Sequence, residues 1–97
     1  MSVLDRFRLN GRCALITGSS AGIGFGLARA LCEAGAHVVL NGRDATKLQQ
    51  AAAVLTAEGH AVSTQVFDVT DEASVKAAVA AIESRQPLDI LINNAGM

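Results

Sequence analysis

Apolar positions along the chain come in two spacings that alternate. Residues 12–17 (RCALIT) form a short, nearly unbroken apolar run ahead of a glycine cluster, as expected of a strand buried on both faces. Over residues 23–34 the spacing changes: Ile23, Leu27, Ala30, Leu31 and Ala34 recur at three- and four-residue steps, and Gly35 stands where helices commonly stop. Residues 37–40 (HVVL) return to a compact β-branched run, punctuated by Asn41-Gly42. Asp44 can cap a second helix over residues 44–58, whose Leu48, Ala51, Ala52 and Leu55 share one stripe before Gly59. Residues 61–67 (AVSTQVF) have the β-branched content of a third strand. Thr70 or Asp71 can cap a third helix carrying Val75, Ala78, Val79 and Ile82, which Pro87 closes. Residues 89–93 (DILIN) supply a fourth strand.

This alternation predicts an α/β fold with a parallel sheet. Right-handed crossovers allow the strand order 3-2-1-4, numbered along the chain, with a reversal beside the first strand. There the loops after the first and fourth strands diverge and leave a crevice, the favoured ligand position of such sheets.

Composition narrows the partners. Of 97 residues 51% are hydrophobic and 18% charged, which suits a packed core rather than a disordered chain. Eight Lys plus Arg against nine Asp plus Glu give a net charge of −1, so neither nucleic acid nor a membrane surface is an expected partner. No apolar run approaches the ~20 residues of a spanning helix, and residues 1–9 carry charges where a secretory signal is apolar, so a cytoplasmic protein is expected. Cys13 and Cys32 have no CxxC or companion His spacing, and read as reduced core thiols with no metal site. His37 and His60 fall at or before strand starts, away from the crevice, and carry no expected chemistry.

Thr17-Gly18-Ser19-Ser20-Ala21-Gly22-Ile23-Gly24 joins the first strand to the first helix at that crevice. Gly18 can turn the chain sharply, Gly22 lets backbone approach a bulky anion, and Gly24 removes a side chain where helix meets strand. The first helical turn adds unpaired N–H groups and a positive dipole end, which suit a pyrophosphate without any basic side chain. Gly-x-Gly-x-x-Gly is not met, and the Gly-Lys-Ser/Thr of a P-loop is absent. A Gly/Ser-rich connection without a ligand is the competing explanation.

The pattern Thr17-Gly18-x-x-x-Gly22-x-Gly24, with Asn93-Asn94-Ala95-Gly96 ending the fourth strand, resembles the short-chain dehydrogenase/reductase family. The likeness continues through Gly11-Arg12, Gly35-Ala36, Asp68-Val69 and Asp89-Ile90-Leu91, and residues 37–44 (HVVLNGRD) resemble its gluconate 5-dehydrogenase-like members. The resemblance implies the N-terminal half of a Rossmann-type doubly wound sheet, a single partial dinucleotide-binding domain over residues 1–97 truncated after the fourth strand. It also implies a nicotinamide dinucleotide along Gly18, Ser19, Ser20, Ala21, Gly22, Ile23 and Gly24. Asp68 would accept from the adenine amino group beside Val69, with local capping as the competing role. Asn94, Ala95 and Gly96 would pass the adenosine ribose, with Asn93 structural.

An NAD enzyme generally ends its second strand in an acidic residue, where this chain has Gly42. Next to it Arg43 offers a planar, permanently charged group for a 2′-phosphate, so NADP is expected over NAD. A solvated cation beside Asp44 is the alternative for Arg43. The basic residue that many NADP-using relatives carry before the second glycine is Ala21 here, leaving the hydroxyls of Ser19 and Ser20 as the only help.

The family's chemistry uses a Ser and a Tyr-x-x-x-Lys pair, yet this chain has no Tyr, and its only Lys are Lys47 and Lys76. The expectation is the cofactor-binding part of an NADP(H)-dependent oxidoreductase that interconverts an alcohol and a ketone, in a sugar-acid or polyol class, homo-oligomeric when complete. A non-catalytic nucleotide-binding module and an inactive truncated fragment are the alternatives. Ile90, Leu91 and Ile92 would lie on an unpaired edge, so the isolated chain is expected to self-associate or need a missing half.

Overall fold

The computed structural model describes residues 8–95. Four strands, β1 (Cys13–Ile16), β2 (His37–Gly42), β3 (Val62–Val66) and β4 (Ile90–Ile92), alternate with three helices, α1 (Gly22–Glu33), α2 (Ala45–Ala57) and α3 (Glu72–Glu83). All strand pairs are parallel and the order is β3-β2-β1-β4, as the sequence pattern predicts. The fold is the α/β Rossmann type.

β1 is buried throughout, and its side chains alternate between two separate cores. On one face Ile16, Val38 and Leu40 pack with Ala28 and Cys32 of α1 and with Leu48, Ala51, Ala52 and Leu55 of α2. On the other, Cys13, Leu15, Val39 and Phe67 meet only α3, through Ala78 and Ile82. One face therefore has two helices and the other has one. The two thiols fall in different cores, and both are free.

Three details depart from the pattern. Asn41 and Gly42 do not end β2 but pair with Gln65 and Val66 as its last two residues. α1 begins at Gly22 rather than Ile23, and buries Gly24, Ala28 and Cys32, while of the expected stripe Leu31 is partly buried against the same core and Ile23 is 77% and Leu27 37% exposed. Small residues at i, i+4 and i+8 let the helix lie close on the sheet, and close contact outweighs the larger apolar side chains one position away. Asp71, not Thr70, caps α3 by accepting from the Ala73 and Ser74 amides, and Asp44 caps α2 as expected.

Candidate functional site

The turn after β1 is held from both neighbouring strands. The Thr17 N–H donates to the Ile92 carbonyl (3.0 Å), while its Oγ1 accepts from the amides of Asn94 (2.9 Å) and Ala95 (3.1 Å) and donates to Asn93 Oδ1 (3.1 Å). Gly18 follows at φ +60, a left-handed conformation, and a side chain there would press on Ala95 at 3.2 Å. Its carbonyl accepts from Asn94 Nδ2 (3.1 Å), so the amide NH2 of Asn94 helps to shape the turn. Asn93 is likewise structural, as expected.

From the β2 side, Asn41 locks the same turn, and nothing in the sequence pattern singled it out: Asn-Gly after an apolar run reads as a turn. In the structure it is 1% exposed. Its Oδ1 accepts from the Gly18 N–H (3.0 Å), and its Nδ2 donates to the carbonyls of Gln65 (3.2 Å) and Phe67 (3.1 Å). Its backbone N–H donates to Ser19 Oγ (2.9 Å), and its carbonyl accepts from the Ser19 N–H (2.8 Å). Ser19 is fully buried, and its hydroxyl donates to the Ile16 carbonyl (2.8 Å), so it has no hydroxyl to offer Arg43 or a phosphate. That corrects the expectation for Ser19; Ser20, beside Gly42, stays within reach of the crevice.

Where α1 begins, the contrast with the other helices is chemical. Asp44 and Asp71 accept from the first amides of α2 and α3, but the α1 cap position is Ala21, with no side-chain hydrogen bond and no acidic residue in the first turn. Among the described residues, the N–H groups of Ser20, Ala21, Gly22, Ile23 and Gly24 meet no acceptor. Ala21, Gly22 and Ile23 are exposed, and a Cβ on Gly22 would meet nothing within 4 Å. Gly24 is the opposite case. A Cβ there would collide with the Gly18 carbonyl and stand 2.7 Å from Asn94 Nδ2, so its missing side chain lets helix and turn close on each other.

Of these uncapped residues Ser20 lines a cleft of about 400 Å³ between the carboxyl ends of β1, β2 and β3, while Ala21, Gly22, Ile23 and Gly24 stand outside its lining. Gly18, Ser20, Arg43, Asp68, Val69 and Ala95 line it, bringing six sequence-identified residues together. Arg43 is exposed at its mouth. Asp68 Oδ1 accepts from the Thr70 N–H (2.9 Å) and hydroxyl (2.7 Å), so local bonding takes one carboxylate oxygen, although Asp71 is the helix cap. The Thr70 hydrogen bonds, with a smaller contribution from Arg43, hold the Asp68 carboxyl below its ordinary range. Gly96 lies outside the described residues.

Elsewhere the chemistry is sparse. His37 Nε2 pairs with Ser63 Oγ at 3.0 Å, and His60 Nε2 stands 3.7 Å from Glu58, both away from this cleft. Burial pushes both thiols up, with Asp89 adding to the effect at Cys13 and Glu33 and Glu58 at Cys32, so neither is an activated nucleophile. A larger hollow of about 590 Å³ lies against the outer edge of β3. It contains no carboxyl end of a strand and none of the sequence-identified site residues. Among the described residues no three His, Cys, Asp or Glu side chains gather as metal ligands, and no helix is long and apolar enough to cross a membrane.

A parallel sheet reversing direction at β1, with a glycine turn and an uncapped helix at the reversal, defines a Rossmann-type nucleotide-binding class of fold. The chain belongs to the short chain dehydrogenase family, whose model matches residues 12–97. It is 55% identical to gluconate 5-dehydrogenase of Gluconobacter oxydans (strain 621H), over all of this chain and 38% of that protein. It is 42% identical to 5-keto-D-gluconate 5-reductase of Escherichia coli (strain K12), over 96% of this chain and 37% of that one. A crystal structure of a gluconate 5-dehydrogenase from Burkholderia cenocepacia J2315, in complex with NADP and tartrate, superposes with a TM-score of 0.90 at 52% identity, covering 99% of this chain and 38% of that one. The chain thus spans under two-fifths of these relatives.

Proposed function

We propose that this chain is the cofactor-binding part of an NADP(H)-dependent oxidoreductase that interconverts an alcohol and a ketone, with a sugar acid or polyol as substrate class. The observation that carries the reading is the bare N-terminus of α1: amides from Ser20 to Gly24 without acceptors, beside a cleft with Arg43 at its mouth. Unpaired amides and the positive end of the helix dipole suit a diphosphate, and the open space at Gly22 admits one. Ser20 and Arg43 would hold a 2′-phosphate, and Gly42 places no carboxylate there to repel it. The adenine would lie along Val69, with the carboxylate oxygen of Asp68 not engaged by Thr70 as its acceptor, and Asn94, Ala95 and Gly96 beside the ribose. NADP supplies a nicotinamide ring that accepts or delivers hydride. Proton transfer to the substrate oxygen requires groups beyond this chain, which has no Tyr. The gluconate relatives support the substrate class.

The test is calorimetric titration of the complete polypeptide carrying this sequence with NADPH and NADH. NADPH should bind at least about tenfold more tightly, a gap that Arg43→Ala should largely erase, in line with the ~1.5–3 kcal/mol of a charge-assisted hydrogen bond. Equal affinities, unchanged by that substitution, would remove the NADP assignment.

A further inference from the structure

We infer that Asn41 is a positioning residue that fixes the spacing between the diphosphate and adenine ends of the proposed site; the inference rests on the dinucleotide reading above. Sheet formation does not need its side chain, because the β2–β3 ladder already pairs Asn41 with Gln65 through the backbone. The side chain reaches past that ladder in two directions, to the Gly18 N–H in the glycine turn and to the Phe67 carbonyl beyond the end of β3. Its orientation is dictated by its partners, since two carbonyls require the NH2 group on one side and an N–H requires the oxygen on the other.

Both links reach residues next to the cleft. Gly18 opens the turn that leads into the bare amides of α1, and Phe67 immediately precedes Asp68 and Val69 on the opposite wall. Gly18 is fixed on its carbonyl side by Asn94 and on its N–H side by Asn41, so removing Asn41 frees one side of a residue in a left-handed conformation. The same removal releases the Phe67 carbonyl and with it the adenine wall. A ligand spanning both walls depends on their separation, whereas a ligand touching one wall does not. Asn41 therefore acts on dinucleotide affinity through Gly18 and Phe67, without contacting the ligand's reacting atoms.

The experiment compares NADP+ with adenosine, which has the adenine and ribose but no phosphate for Ser20, Arg43 or the α1 amides to hold, by calorimetry on the complete polypeptide. Asn41→Leu removes all three side-chain hydrogen bonds, and Asn41→Ser leaves a hydroxyl too short to span them; circular dichroism and thermal unfolding monitor folding. Both variants should lose NADP+ affinity by about tenfold or more while adenosine affinity changes by less than about threefold, because only the spanning ligand gains from the fixed geometry. If Asn41→Leu does not fold, Asn41→Ser alone decides. Wild-type affinity for NADP+ in a folded variant, or equal losses for both ligands, overturns the inference. A wild-type protein that does not bind NADP+ overturns instead the reading beneath it.

Discussion

Gly22 and Gly24 sit two residues apart and are constrained by different physics. At Gly24 the backbone is ordinary but a Cβ has no room, because the Gly18 carbonyl occupies its place; at Gly22 there is room, but φ is +63. Gly24→Ala should therefore push α1 off the turn, cost about 1–3 kcal/mol by overpacking, and weaken nucleotide binding. Gly22→Ala should cost only the left-handed strain of about 1–2 kcal/mol. Chemical denaturation of both variants checks the order. These glycines were legible in the sequence because their spacing is a motif with a mechanism. Ser19 and Asn41 were not. A Ser in a glycine loop and an Asn before Gly both read as exposed turn residues, and only the third dimension reveals that they pair with each other beneath the loop.

At the scale of elements, the number and order of strands and helices followed from apolar spacing, and the α2 cap from Asp44, while for α3 the sequence offered Thr70 or Asp71 and the structure uses Asp71. The face of α1 did not. A stripe of large apolar residues outranks Gly, Ala and Cys in any hydrophobicity reading, yet Gly24, Ala28 and Cys32 are what the sheet receives. The carboxylates at the helix and turn starts carry a pH consequence. Hydrogen bonds from Ser74 and Ala73 lower Asp71, those from Thr70 lower Asp68, and Arg29 lowers Glu58 through a paired contact at 3.0 and 2.7 Å. Each depressed group gives stability that is present above its unfolded pKa and is lost as pH falls through its folded one. Thermal stability should thus hold near neutrality and fall as pH drops through and below the ordinary carboxylate range of about 4. Asp71→Asn should soften this acid limb, and a Tm measured against pH checks both statements.

For the molecule as a whole, the sheet has two edges, and β4 leaves Leu91 61% exposed beside half-buried Ile90 and Ile92. An apolar edge strand is a template for pairing. The 97-residue chain studied alone should self-associate, and Leu91→Lys should shift it toward monomer; sedimentation velocity at rising concentration distinguishes the two, and a wild-type monomer throughout would count against the edge argument. The substitution Ala21→Asp probes the central claim, that the first turn of α1 is left bare for a diphosphate, by giving α1 the cap that α2 and α3 already have. A new N-cap should stabilise the fold by about 0.5–2 kcal/mol. In the complete polypeptide, NADP+ titration alongside thermal unfolding should give a higher Tm and an affinity at least about tenfold weaker, since the carboxylate takes the amides and repels the anion. A higher Tm with undiminished NADP+ affinity would mean that the diphosphate does not bind there.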